Sequence, residues 1–237
     1  HPAPHYNPPA MKIYRFLHRG RIAQASEVPE GATLLPPVTP TKIVCIGRNY
    51  ADHAKELGNE PPSEPLLFLK PPSALLAPGG TIVLPAQSQL VHHEAELAIV
   101  VAREAKRVHV EDWRDYVLGF TCANDVSARD LQRKDVQFTR GKGFDTFCPV
   151  GPHIETDLDP SDLRVVARVN GEVKQDGRTS QMIFPCDVLF AYVSEHMTLM
   201  PGDIILTGTP AGVGSLNAGD RVEVEIEGIG ILANDVA

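Results

Sequence analysis

The sequence predicts an α+β fold dominated by β-strands, a sandwich or roll rather than a Rossmann fold. Three observations carry that expectation. Strand signals outnumber helix signals, regular βαβ alternation is missing, and 21 prolines and 19 glycines supply frequent turns. A chain of 237 residues suits one domain with a minor appendage and can bury a sizeable core.

The elements follow in order. Residues 1–10 read as a disordered extension or a cloning remnant, with Met11 as the natural start. They lack the charged region and apolar core of a secretory signal. Residues 11–40 form a small N-terminal β segment, Lys12 to Phe16, and a Pro-rich linker, Leu35 to Pro40, where a domain boundary is expected. Residues 41–237 form the main domain. It opens on a short buried strand, Lys42 to Gly47.

Residues 49–58 read as a short helix with Asn49 as N-cap, Asp52 at N3 and Gly58 at its end. Tyr50, His53, Ala54 and Leu57 then share the inward face. Pro-rich turns punctuate residues 61–85, and strand signals follow at 94–101, 116–123, 163–169, 203–207 and 221–227. Asn170-Gly171 marks a hairpin. A helix is expected over about 185–197, with Pro185 in its first turn and Leu189, Tyr192, Val193 and His196 on one stripe.

Composition narrows the function. The net charge is −8, from 22 basic and 30 acidic side chains without a basic block, which argues against nucleic acid. No apolar run approaches the roughly 20 residues of a membrane-spanning helix. The four cysteines, Cys45, Cys122, Cys148 and Cys186, are scattered. They are expected to be free and mostly buried, as in a reducing, cytoplasmic compartment.

Four features could carry chemistry. Glu94 and Glu96 lie two apart, so on a strand they share a face, together with His92. Asp125 ends another apolar stretch. Three carboxylates at strand ends could converge on a divalent cation, and all-oxygen ligation favours Mg²⁺, Mn²⁺ or Ca²⁺ over zinc. A solvated strand end would look the same. His53 and Glu56 are three apart on a helix, where a carboxylate can orient an imidazole as a general base. A buried helix histidine beside an exposed glutamate fits that spacing equally well. Lys142, between Gly141 and Gly143, could neutralise a substrate carboxylate or an enolate. The segment Asp203 to Gly214 runs from a strand into a Gly-rich loop. It is no P-loop, but its N–H groups and the Thr209 hydroxyl could bind a carboxylate. No G-x-S-x-G elbow is present.

Taken in order, these segments resemble the fumarylacetoacetate hydrolase family. The matching stretches are Ile46 to His53, Leu67 to Ser73, His92 to Leu97, Asn124 to Gln132, Gly141 to Asp145, Pro201 to Asp203 and Gly208 to Gly214. The resemblance implies a mixed β-sandwich roll, usually dimeric, in the short-chain branch. It implies Glu94, Glu96 and Asp125 as ligands of Mg²⁺ or Mn²⁺, and His53, Glu56 and Lys142 as catalytic residues. Arg48, Tyr50, Lys70, Gln132, Gly208 and Thr209 would line the pocket of a 2-oxo acid or dicarboxylate.

The expected reaction is hydrolytic C–C cleavage of an acylpyruvate through an enolate, of the kind met in aromatic catabolism. Isomerisation of a 2-hydroxyhepta-2,4-diene-1,7-dioate and decarboxylation of oxaloacetate are the alternatives on the same site. A metal-dependent dicarboxylate binder without catalysis is the alternative of another class.

Overall fold

Strand Ala95–Val101 is buried along its whole length, because it lies deep inside a sheet with both faces covered. Its alternate residues divide between two cores. Leu97, Ile99 and Val101 face one, and Ala98 and Val100 the other. Burial of each large aliphatic side chain contributes about 1.5–3 kcal/mol. The apolar run is therefore what anchors the strand.

The computed structural model describes residues 11–237. The expected N-terminal extension, residues 1–10, lies outside the described residues. The main sheet has ten strands. Eight run in the order Arg21–Ala25, Lys12–His18, Cys148–Glu155, Val117–Asn124, Ala95–Val101, Ile204–Leu206, Ile43–Gly47 and Leu66–Lys70. Most neighbours are antiparallel, but Ile204–Leu206 runs parallel to Ile43–Gly47, so the sheet is mixed. The N-terminal strand Lys12–His18 joins it through Cys148–Glu155.

A second, five-stranded sheet holds Glu172–Arg178, Arg164–Val169, Arg221–Ile226, Gly230–Val236 and Thr81–Ile82. The larger core lies between the two sheets and helix Cys186–His196. A small three-stranded sheet of Ser127–Ala128, Val91–His93 and Gly214–Ser215 closes one end. The β-dominated class therefore holds, with few helices.

Local signals place most elements within a residue or two. Asn170 and Gly171 both adopt positive φ, as the two-residue turn between Arg164–Val169 and Glu172–Arg178 requires. All four cysteines are buried and free. Among the described residues, no helix is long and apolar enough to cross a membrane.

Three expectations change. The first helix spans Ala51–Glu56, and its N-cap position is Tyr50, without a side-chain cap. Asn49 is engaged elsewhere. Its amide donates to the Phe184 and Thr207 carbonyls, and its side-chain oxygen accepts from the Phe184 N–H. Second, helix Cys186–His196 buries Cys186, Leu189, Phe190 and Val193, while His196 is exposed and Pro185 sits at the N-cap. Third, strand Leu66–Lys70 arises inside the stretch expected to be punctuated by turns, and strand Cys148–Glu155 forms where no strand was expected. The second contains Pro149 and Pro152 and pairs beside a register shift in Val117–Asn124, a setting that tolerates missing N–H donors.

Asp203 begins the parallel strand pair. Its carboxylate accepts from the Thr41, Lys42 and Met200 N–H groups and from the Thr41 hydroxyl, and it pairs with Lys42 Nζ at 2.5 Å. These contacts tie the start of Ile43–Gly47 to the turn before Ile204–Leu206.

Candidate active site

The chain passes from the small sheet into the main sheet at Glu94, between Val91–His93 and Ala95–Val101. Glu94 therefore sits at a break in the strand. Its N–H donates to Asn124 Oδ1 and its carbonyl accepts from the Asp125 N–H, each at 2.9 Å. Glu96, two residues on, faces the same side as Ala98 and Val100. The neighbouring strand ends at Asn124, which delivers Asp125 to the same place.

Glu94, Glu96 and Asp125 each offer a ligand atom, and these atoms lie within 4.8 Å of one another. All three are buried. Three buried cations surround them. Lys142 Nζ bridges Glu94 Oε2 and Asp125 Oδ2, at 2.7 Å each. Lys70 Nζ donates to Asp125 Oδ1 at 2.6 Å and to the Val126 carbonyl. Arg129 Nη2 pairs with Glu94 Oε1. Glu96 Oε2 accepts only the Gly208 N–H, at 2.7 Å, and no hydrogen bond among the described residues reaches its Oε1.

The charges respond accordingly. Burial would raise Glu94, but Arg129 and Lys142 outweigh it and hold its carboxyl below the usual range. Burial works against the charged form of Lys142, yet Asp125 and Glu94 keep its ammonium above the ordinary lysine value. Glu96 is pushed up, first by burial and then by Asp125 and Glu94. It is the carboxylate that these cations leave least compensated. An all-carboxylate donor set with one uncompensated oxygen fits a hard divalent cation.

His53 lines the cavity above this cluster. Its Nδ1 lies 3.3 Å from Glu56 Oε2. Glu56 is held in turn by the Gly212 N–H at 3.1 and 3.2 Å from its two oxygens. Burial lowers the His53 pKa, against Glu94 and Glu56, which raise it, so the neutral imidazole is favoured. The Gly-rich loop does bind carboxylates through its N–H groups, but they are the protein's own, Glu96 and Glu56.

The cavity has a volume of about 290 Å³. Of the residues expected to line it, Arg48, Gln132 and Thr209 do so. Gln132 accepts from Arg129 at 2.8 Å. The Thr209 hydroxyl donates to the Ala95 carbonyl. Lys70 lies beneath Asp125 instead, Gly208 backs Glu96, and Tyr50 is buried behind the site, bridged to Met182. His92 accepts from Arg129 Nε at 3.4 Å.

Sequence reasoning assigned no role to Arg129, although it lies in a stretch that carries the resemblance. Its neighbour Asp130 faces away from the cluster and accepts from Ser88 and the Gln89 N–H. Phe68 and Phe138 are in edge-to-face contact on the cavity wall; Phe68 lies in a stretch that carries the resemblance but was given no role, and Phe138 carried no sequence signal beyond ordinary hydrophobicity.

A strand-dominated fold that gathers three buried carboxylates at strand ends beneath a helix-borne histidine–glutamate pair has the make-up of an enzyme site able to hold a divalent metal. Residues 42–237 match the family described as fumarylacetoacetate (FAA) hydrolase C-terminal. The chain belongs to the fumarylacetoacetate hydrolase family of enzymes. It is 47% identical over 232 residues to the human mitochondrial oxaloacetate tautomerase FAHD2A, covering 92% of this chain and 74% of that protein. Two solved structures are similar throughout. The 5-carboxymethyl-2-hydroxymuconate delta-isomerase of Mycobacterium smegmatis is 44% identical with a TM-score of 0.88, covering 96% of this chain and 98% of that one. The 2-hydroxyhepta-2,4-diene-1,7-dioate isomerase of Mycobacterium marinum is 43% identical with a TM-score of 0.89, at the same coverages.

Proposed function

We propose that this enzyme shifts protons on a 2-oxo dicarboxylate, interconverting its enol and keto forms or related double-bond isomers. Glu94, Glu96 and Asp125 would hold the Mg²⁺ or Mn²⁺ it uses. The observation that carries this reading is the charge balance of the site. Three buried carboxylates face three buried cations, Lys70, Arg129 and Lys142. A divalent cation would leave two positive charges, which a dianionic ligand neutralises. The names of the similar proteins point the same way, since two are isomerases and one is an oxaloacetate tautomerase.

The cation would supply Lewis-acid charge that favours the enolate form of a 2-oxo acid. The chain's own residues supply the rest. With His53 Nδ1 engaged by Glu56, Nε2 is the nitrogen left to exchange a proton. The proton leaves the carbon beside the keto group for Nε2, and its electron pair moves onto the keto oxygen. Return of the proton to that oxygen gives the enol. Return at a conjugated carbon gives the shifted double bond. Lys142 and Arg129 provide positive charge for the carboxylate and the developing enolate. Arg48, Gln132 and Thr209 would contact the distal part of the ligand.

This order places proton transfer ahead of the hydrolytic cleavage that the sequence ranked first. Hydrolysis of an acylpyruvate stays as a second reading, because a buried, neutral His53 held by Glu56 is also suited to activating a water.

The test removes metal with EDTA, restores Mg²⁺ or Mn²⁺, and offers oxaloacetate, a 2-hydroxy-2,4-dienedioate and an acylpyruvate. Ultraviolet absorbance follows the enols and NMR identifies products. Metal-restored isomerisation without C–C cleavage supports the proposal. Cleavage of the acylpyruvate alone favours hydrolysis, and no metal-restored turnover on any substrate refutes both.

A further inference from the structure

We propose that Gln175 is a positioning residue that locks the metal-ligand segment to the Gly-rich loop and so sets the geometry of both Glu96 and the His53–Glu56 pair. Gln175 comes from neither. It lies on Glu172–Arg178 of the five-stranded sheet, where only Gln175 and Gly177 are buried. A glutamine fully enclosed at such a position needs every polar atom satisfied.

Each end of its amide meets a different part of the site. Oε1 accepts the Ala95 N–H at 2.9 Å, between Glu94 and Glu96, and lies 3.0 Å from His93 Nδ1. Nε2 donates to Thr209 Oγ1 and to the Pro210 carbonyl, both at 2.7 Å. The Thr209 hydroxyl closes the circuit by donating to the Ala95 carbonyl at 2.8 Å. One side chain therefore fixes the peptide between the two glutamates and the loop whose N–H groups hold Glu96 and Glu56.

The backbone confirms how closely the loop is seated. A Cβ at Gly212 would lie 2.1 Å from the Lys174 carbonyl oxygen, and Gly212 has a φ of +99°. A Cβ at Gly177 would lie 2.5 Å from Pro210 Cβ. The glycines allow the loop to rest directly on the strand at Gln175, so the short amide can span the two. Without it the buried Ala95 N–H loses its acceptor, and the residue between Glu94 and Glu96 loses its tie to the Gly-rich loop.

The consequence for metal rests on the function proposed above, and the consequence for the loop does not. The experiment compares wild type, Gln175→Leu and Gln175→Glu. Mn²⁺ affinity is read from the electron paramagnetic resonance of free Mn²⁺, and hydrogen exchange is read over peptides covering residues 90–97 and 206–214. Circular dichroism establishes that each variant is folded.

Gln175→Leu is expected to bind Mn²⁺ about 10–100-fold more weakly, the usual effect of removing a group that orients a metal ligand. Exchange should rise in both peptides. Gln175→Glu keeps an acceptor for Ala95 but sets a carboxylate against the Pro210 carbonyl. It should hold Mn²⁺ better than the leucine variant while exchange rises in 206–214. Folded Gln175→Leu with wild-type affinity and exchange overturns the proposal. If that variant does not fold, unchanged exchange over 206–214 in Gln175→Glu overturns it. Wild type without Mn²⁺ affinity refutes the metal reading alone, and the exchange data still decide the role of Gln175.

Discussion

Replacing Lys142 by Met should destabilise the metal-free protein and tighten its hold on a divalent cation. In the structure the Lys142 ammonium donates to one oxygen of Glu94 and one of Asp125, at 2.7 Å each. All three groups are buried. Removing one partner of a buried ion pair costs about 3–5 kcal/mol, because the remaining charges lose their compensation. For a chain of 237 residues, each kcal/mol lowers Tm by about 2–4 °C, so the loss is about 6–20 °C in EDTA. Methionine keeps most of the lysine's volume, so the effect is chiefly one of charge.

A divalent cation competes with Lys142 for the same two carboxylates. Its removal should therefore increase the stabilisation that Mn²⁺ confers, which for any ligand is about 2.7 kcal/mol at a hundred times Kd. Thermal unfolding of both proteins, in EDTA and across a Mn²⁺ titration, measures both effects. An unchanged Tm in EDTA, or a Mn²⁺ shift no larger than that of wild type, would refute the reasoning.

Further substitutions and pH profiles test the remaining assignments. Glu94→Gln removes a charged oxygen from the cluster and should abolish Mn²⁺ binding, so retained affinity by calorimetry would count against Glu94 as a ligand. Burial lowers the His53 pKa, so the base form persists below the ordinary value of 6.5. The metal-loaded enzyme should keep its rate there and lose it only at lower pH, and His53→Ala should remove that acidic limb from the pH–rate profile. His153 is buried against Tyr14, and burial followed by Lys12 pushes its pKa down to about 4. Below pH 6.5 the unfolded chain takes up a proton there that the folded chain refuses, so stability should fall between pH 6.5 and about 4, and His153→Phe should flatten that slope in denaturant titrations. Asp203→Ala removes five hydrogen-bonded contacts and leaves Lys42 unpaired, which should cost about 3 kcal/mol or more in urea unfolding.

The sequence by itself determined the local elements and the residue types of the site. The run Leu97 to Val101 reads as a buried strand because both its faces are apolar, and Asn170-Gly171 reads as a hairpin because both residues accept positive φ. The pairing of His53 with Glu56 follows from one helical turn. Glu94, Glu96 and Asp125 could be named from their positions at strand ends.

Only the tertiary structure decided what compensates them. Lys70, Arg129 and Lys142 come from distant segments, and no local rule says that an ammonium between Gly141 and Gly143 will bridge two carboxylates. The strand Cys148–Glu155 was hidden by its prolines, and Gln175 by lying in a strand whose neighbours face solvent. Periodicity and turn chemistry act over a few residues. Charge compensation acts through space, and only the closed sheets bring its partners within hydrogen-bond reach.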